Sequence, residues 1–274
     1  MDCNKMMSLL NDDIVENDLR PYSGLSGIGN PCMRYLQYYH YWAFKESIST
    51  RVERLFKTGH LYEDLMASAL KTLGIDMVFS QKEYIGFAGH WKGHSDGNAL
   101  ISKSNELSEG YCDTFLVEMK THNDKNFKAL KKDKVQKAFP KHYAQMCAYM
   151  EEDELEYCLY IAINKNDSEY HIEWIRYDAD ESFRNQSKQE EVIMSPVLLS
   201  RIASGKKTWF ECKLCSARDV CFNATPVVKS CRTCEHISVE EKGAWRCTKH
   251  NKELSVTEQR AACGDYAIDE MFHE

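Results

Sequence analysis

The chain has 274 residues, 43% of them hydrophobic, enough for one large domain or one domain with a small appendage built on a sizeable core. Its net charge of −7 argues against a protein that grips nucleic acid over its whole surface. No apolar stretch approaches the length of a membrane span, and Met1-Asp2-Cys3-Asn4-Lys5 has no signal-peptide pattern, so the expectation is a cytoplasmic protein without a membrane partner.

In chain order, residues 4–19 read as a polar, weakly amphipathic helix. Residues 31–44 form an aromatic-rich helix with Tyr35, Tyr38, Tyr39, Tyr41, Trp42 and Phe44, rings expected to pack inward rather than stack on unpaired bases. Residues 51–73 predict a long helix whose Leu55, Leu61, Leu65, Ala69 and Leu73 fall near helical spacing. Strands are expected at 77–87, 90–102 and 113–120. A helix over 139–152 opens after Phe139-Pro140 and carries Gln145 and Tyr149 one turn apart on one face. Two strands, 156–164 and 169–177, are joined as a hairpin by Asn164-Lys165-Asn166-Asp167, and a helix over 179–204 leads to a run of cysteines. The chain has no internal repeat and no low-complexity tract.

The middle of the chain carries the chemistry. Thr114-Phe115-Leu116-Val117-Glu118-Met119-Lys120 reads as a strand followed by the turn-prone His122-Asn123-Asp124. Side chains alternate along a strand, so Glu118 and Lys120 share one face while Phe115, Val117 and Met119 pack on the other. Asp96, in Gly93-His94-Ser95-Asp96-Gly97, closes the preceding strand at an Asp-Gly turn. If the two strands are neighbours, two carboxylates and an ammonium meet at one sheet end, a set able to hold a divalent cation and hydrolyse a phosphodiester. The bland alternatives are an ordinary turn and a solvated strand face. From Lys120 to Lys141, eight lysines face only Asp124 and Asp133. Lys125, Lys128, Lys131, Lys132 and Lys134 are therefore candidate contacts to a DNA backbone, with a solvated helix face as the alternative.

Gly-His-Ser-Asp-Gly, then Glu118-Met119-Lys120, then Gln145-Met146-Cys147-Ala148-Tyr149 resembles the PD-(D/E)XK nuclease superfamily in its RecB-like branch. The resemblance covers residues 20–221. Gly59-His60-Leu61-Tyr62-Glu63 fills the slot of a Gly-x-x-x-His or Glu helix, with the glutamate of lambda-type phage exonucleases; either Glu63 or its neighbour His60 is placed to touch a metal. The resemblance implies a restriction-endonuclease-like α/β fold, with a mixed central sheet flanked by helices. It also implies Asp96, Glu118 and Glu63 around Mg²⁺ or Mn²⁺, Lys120 as catalytic lysine, and Gln145 and Tyr149 contacting substrate or supporting Lys120.

Twelve cysteines are far more than a reducing compartment requires, which favours metal or cluster ligation over disulfides. Cys231-x2-Cys234, Cys247 and Cys263, with polar turns and Trp245 between them, read as a small zinc ribbon in which His236 and His250 are alternative ligands. So short a segment cannot bury enough core to fold without metal. Cys212-x2-Cys215-x5-Cys221 together with the distant Cys32 resembles the iron–sulfur staple of CRISPR-adaptation and AddB-type nucleases, which implies a 4Fe-4S cluster tying both ends of the fold together. A rival partition pairs Cys212 and Cys215 with Cys231 and Cys234 on one zinc. Cys3, Cys112, Cys147 and Cys158 are read as buried small hydrophobes or free thiols.

These readings divide the chain into an N-terminal helical segment (1–50), a nuclease core (51–205), a cysteine cluster (206–225) and a zinc-ribbon-like module (226–274). They predict a DNA exonuclease acting from ends, of the kind that serves phage-type recombination beside a strand-annealing protein in the host cytoplasm, with homo-oligomers open. No Gly-x-x-x-x-Gly-Lys-Ser/Thr loop is present, so ATP use is not expected. Two competing functions remain: a catalytically silent DNA-binding scaffold, and an iron–sulfur redox regulator.

Overall fold

A computed structural model describes residues 2–17, 19–108, 114–202 and 206–273. In chain order they form α1 (Cys3–Asn11), β1 (Ile14–Asn17), β2 (Ser23–Gly24), α2 (Met33–His40), β3 (Glu46–Ser49), α3 (Thr50–Thr72), β4 (Ile75–Ser80) and β5 (Glu83–Ile85). β6 (Trp91–His94), β7 (Gly97–Ile101), β8 (Phe115–His122), α4 (Asp124–Ala138), α5 (Pro140–Glu152), β9 (Tyr157–Asn164), β10 (Tyr170–Arg176) and α6 (Ala179–Met194) follow. The last stretch holds α7 (Phe210–Lys213), α8 (Arg218–Cys221), β11 (Ile237–Val239), β12 (Trp245–Cys247), β13 (Lys252–Glu253) and α9 (Val256–Ala261). No described helix is long and apolar enough to cross a membrane. The chain divides into two compact units, one of residues 1–50, 85–92 and 186–274, the other of residues 51–84 and 93–185.

The second unit is built on a mixed five-stranded sheet of order β10-β9-β8-β7-β4. Only β8 and β9 run parallel, joined by a crossover through α4 and α5. β8 lies at the centre, and Phe115 to Met119 are buried on both faces, as an interior strand requires. Phe115, Val117 and Met119 join Met66 and Leu70 of α3 with Leu159, Ile161 and Ile163 of β9 in one core. At about 1.5–3 kcal/mol for each large side chain removed from water, this cluster is the unit's main source of stability. α5 covers the opposite face: Pro140 opens it, and every residue from Ala144 to Met150 is buried.

In the first unit, Tyr38, Tyr41, Ala43 and Phe44 pack with Ala217, Val220, Trp245 and Phe272. Tyr41 donates to the Ile193 carbonyl (2.7 Å) and Trp42 to that of Arg20 (2.8 Å), so the rings at residues 35–44 serve as packing. β11, β12 and β13 form an antiparallel meander. Arg232 is buried between two indoles, 3.8 Å from the ring centre of Trp42 and 4.4 Å from that of Trp245. Its guanidinium donates to Gln259 Oε1 (2.9 Å) and to the carbonyls of His40 (2.8 Å) and Pro21 (2.7 Å), and burial pushes its pKa down to about 9.

Several elements depart from the sequence expectation. The helix over 4–19 ends at Asn11, and the β-branched Ile14-Val15 instead opens a strand paired antiparallel with β3. The strand over 90–102 is broken at Ser95-Asp96 into β6 and β7. The helix over 179–204 ends at Met194, two residues before Pro196, whose ring disfavours helix in the residue preceding it; residues 203–205 and Cys112 lie outside the described residues. In α3 the inward stripe is Tyr62, Met66, Ala67 and Leu70, while Leu55, Leu61 and Leu65, and Leu73 just past the helix, are exposed. Two stripes one residue apart have the same period, and the sequence pattern did not separate them.

Candidate functional site

Asp96 sits at the break between β6 and β7, immediately before Gly97 (φ +150). A Cβ on Gly97 would collide with the Phe79 carbonyl oxygen across the β4–β7 pair, so the backbone approach there requires glycine. Gly97 pairs with Val117, which brings the Asp96 carboxylate to the next turn of the ladder, where its Oδ2 accepts from the Met119 N–H (2.5 Å). Glu118 is wholly buried on the α5 face of β8. Lys120, two residues on and on the same face, donates to Glu118 Oε1 and to the Met119 carbonyl (3.3 Å). Glu118 Oε2 has no hydrogen-bond partner among the described residues.

The electrostatics follow from burial. Loss of water pushes Glu118 up to about 7; Lys120 pulls it back, and the Asp96 charge adds to the rise. Burial likewise raises Asp96, against the pull of Lys120. For Lys120 burial disfavours the charge, but Glu118 and Asp96 outweigh it and hold the pKa above the ordinary lysine value. Glu63 of α3 is a further charge felt by all three groups. It accepts from, or pairs with, His60 Nδ1 at 3.3 Å, and His60 is largely exposed.

α5 supplies the other wall. Tyr149 donates to the His94 carbonyl (3.2 Å), stacks on Tyr84 (4.5 Å between ring centres) and accepts from Gln145 Nε2 (3.5 Å). Beyond Lys120 lies a group that the sequence reading missed. Tyr160, paired with Glu118 in the ladder, places its hydroxyl 2.9 Å from His122 Nε2 and 3.1 Å from His142 Nδ1. Burial is the main cause of both low imidazole pKa values, about 4 for His122 and about 3 for His142, with the Lys120 charge next. His122 was legible, since it continues the period-two face of Glu118 and Lys120; Tyr160 and His142 come from other elements and leave no local pattern.

Two carboxylates and a peptide carbonyl form a hard-oxygen set of the kind that Mg²⁺ or Mn²⁺ prefers. The partnerless, fully buried Glu118 oxygen fits such a cation, because an anionic oxygen away from water otherwise carries a desolvation cost with nothing to offset it.

The lysines of α4 are exposed, but not all are unengaged: Lys128 pairs with Asp124 (2.7 Å) and Lys131 with Glu169 (2.5 Å). Lys125, Lys132 and Lys134 are exposed on the same helix, which breaks at Lys134 (φ 63).

All eleven described cysteines are free thiols, and eight of them gather in two groups within the first unit. Cys32, Cys212, Cys215 and Cys221 line one cavity with Tyr35, Tyr38 and Arg201. Burial raises the thiols of Cys212 and Cys215, and charge on Cys32 and Cys221 raises them further. Arg201 donates to Cys221 Sγ (3.4 Å) and its carbonyl (2.6 Å). Cys231, Cys234, Cys247 and Cys263 line a second cavity with His236 and His250. Burial, then charge on Cys263, Cys234 and Cys247, pushes Cys231 up to about 11. Thiols that oppose one another's ionisation fit a shared cation, which holds them as thiolates. Cys212 and Cys215 line a different cavity from Cys231 and Cys234, so the rival pairing of those four has no support in the geometry. His250 Nε2 lies 3.7 Å from Cys263 Sγ and 3.3 Å from Asp265 Oδ2, and the ligand atoms of these three residues fall within 4.8 Å of one another. Cys147 and Cys158 are buried in the second unit, and Cys3 is exposed.

No protein-family model matches the chain, and no curated protein matches it significantly. Among solved structures, SSO0001 is similar with a TM-score of 0.41 and 17% identity, over 73% of this chain and 86% of that one. The alkaline exonuclease LHK-Exo from Laribacter hongkongensis gives a TM-score of 0.44 and 17% identity over 63% of this chain and 88% of its own. The same enzyme in complex with dAMP gives 0.43 and 15% over the same shares. At TM-scores below 0.5 these likenesses decide nothing about fold or activity, and the functional reading rests on the site itself.

Proposed function

We propose that this protein is a metal-dependent DNA nuclease that hydrolyses phosphodiesters from DNA ends. The observation that carries the reading is the buried constellation of Asp96, Glu118, the Met119 carbonyl and Lys120, with its partnerless Glu118 oxygen. Asp96, Glu118 and the Met119 carbonyl hold the Mg²⁺ or Mn²⁺, and Glu63 approaches from α3. The cation supplies charge stabilisation at the scissile phosphate and lowers the pKa of the attacking water. Lys120, kept charged by its two carboxylates, donates to the attacking water or to the phosphoryl oxygen that gains charge. Tyr149 and Gln145 hold the loop at His94 and thereby the position of Asp96. The exposed Lys125, Lys132 and Lys134, with Lys128 and Lys131 once released from their acids, track the phosphate backbone. Cys32, Cys212, Cys215 and Cys221 hold a 4Fe-4S cluster and Cys231, Cys234, Cys247 and Cys263 a Zn²⁺ ion; the lining of one cavity by the four thiols of each group supports both assignments.

The test is Mg²⁺- or Mn²⁺-dependent digestion of linear and closed circular DNA by anaerobically purified protein, beside Lys120→Ala and Glu118→Ala. Loss of linear DNA alone, reduced by at least about 100-fold in each variant, is expected. Cleavage of circles would make the protein an endonuclease. If wild type with its metals intact leaves every substrate whole, the catalytic reading fails and a DNA-binding scaffold takes its place.

A further inference from the structure

The segment Lys206-Lys207-Thr208-Trp209-Phe210-Glu211-Cys212-Lys213-Leu214 combines three features. First, its apolar side chains face solvent: Trp209 is 42% exposed, Phe210 70% and Leu214 75%. Second, Lys206, Lys207 and Lys213 are exposed around them against the single acid Glu211. Third, the turn is pinned from behind. Trp209 N–H donates to the Lys206 carbonyl (2.9 Å), Lys213 N–H to that of Trp209 (3.0 Å), and Cys212 points inward to the first cysteine cavity.

One helical turn explains the arrangement. Phe210, Lys213 and Leu214 stand at i, i+3 and i+4 and share the outer side, while Cys212 takes the inner one. Large apolar groups cost free energy in water, so a chain that leaves three of them on four-residue α7 and its caps has a use for them. Lysine is depleted in protein–protein interface cores, and this patch is ringed with it. Aromatic rings interleaved with lysines are instead what a flexible nucleic-acid strand needs: a π-face for each base and a cation for each phosphate.

We infer that Trp209, Phe210 and Leu214, with Lys206, Lys207 and Lys213, form a docking surface for unpaired nucleic acid, bases stacking on the rings and phosphates meeting the ammonium groups. This site lies outside the Asp96–Glu118–Lys120 constellation and needs no divalent ion. It rests on the nuclease reading only for the choice of DNA as the polymer. A strand held there is the single-stranded part of a substrate whose hydrolysis occurs elsewhere.

The experiment is fluorescence anisotropy on the full, anaerobically purified protein without added Mg²⁺ or Mn²⁺ and without chelator, so that no strand is cut and the cysteine sites keep their metals. The probes are a labelled oligothymidine of about twenty nucleotides and a blunt duplex of equal length. Trp209→Ala/Phe210→Ala is expected to weaken oligothymidine binding at least about tenfold while leaving duplex binding unchanged. Trp209→Phe/Phe210→Tyr is expected to restore it, which separates stacking from damage to the cysteine-bearing turn. Lys206→Ala/Lys207→Ala/Lys213→Ala is expected to shallow the logarithmic salt dependence by about two. Oligothymidine affinity unchanged in the aromatic variant, or lost equally with duplex affinity, overturns the inference. So does a change in self-association without a change in DNA binding, which would make the patch a protein interface. Digestion assays report separately: inactive protein that still binds oligothymidine through these rings refutes the nuclease and not the docking surface.

Discussion

At Glu118 a carboxylate lies out of reach of water in the central strand of a sheet, one oxygen held by Lys120 and the other without a donor among the described residues. Such a group is a cost to the fold unless something recovers it. Glu118→Gln removes the buried charge, and the protein without added metal is expected to gain on the order of 1 kcal/mol. The same variant should lose the rise in melting temperature that Mg²⁺ gives the wild type, since stabilisation by a bound ion scales with its affinity for the folded state. Thermal unfolding with and without Mg²⁺ reads both. Gly97 behaves oppositely: Gly97→Ala drives a methyl into the Phe79 carbonyl and should cost roughly 2–4 kcal/mol in urea unfolding, with activity falling as Asp96 moves. At this scale much was visible in advance. Alternation alone puts Glu118 and Lys120 on one face, and the Asp-Gly pair marks a turn. What alternation does not contain is the depth of burial. A Glu-x-Lys pair reads equally as a solvated face, and it is α5, packed over that face of β8, that takes Glu118 out of water.

Among elements, the legible ones were those with a single dominant signal. α5 follows its proline, and the β9–β10 hairpin follows its Asn-Lys-Asn-Asp turn. α3 kept its length but presented a stripe shifted by one residue, because exposed Leu61 and Leu65 carry the same period as buried Tyr62 and Met66. α5 also carries a pH dependence. His142, held near 3 by burial and the Lys120 charge, stays neutral in the fold, whereas an unfolded histidine takes up a proton below about 6.5. The unfolded state then binds more protons, so this contribution is complete above pH about 6.5 and is lost as pH falls toward the folded value. Glu118, raised to about 7, has the reverse sign: its contribution weakens as pH rises. The difference between wild type and His142→Gln isolates the histidine. Wild type should lose more melting temperature than the variant between pH about 6.5 and 5. In the knuckle between Cys231 and Cys234, Arg232 is the element's anchor, and no sequence pattern announces it. Arg232→Ala leaves the carbonyls of His40 and Pro21 without their donor and removes the cation held between the two indoles. A loss of about 3–5 kcal/mol is expected from denaturant unfolding, and Arg232→Lys should not restore it, since an ammonium lacks the planar fork.

For the whole molecule, the partition into two units is discontinuous: residues 1–50, 85–92 and 186–274 make one, and the residues between them make the other. The resemblance to iron–sulfur nucleases implied long-range closure from Cys32, and Cys32 lines one cavity with Cys212, Cys215 and Cys221. Closure by Arg232 was invisible, since a lone arginine between two cysteines carries no hint of which carbonyls it will meet. Its reach to Pro21 and His40 has a consequence for the birth of the chain. A ribosome releases residues 1–50 long before it has made residue 232, so the early segment emerges with its indole uncovered and its carbonyls facing water. Residues 51–84 and 93–185 can finish folding during synthesis. The opening segment waits for the closing one, and the nascent protein spends that interval with its first aromatic helix as bait for chaperones.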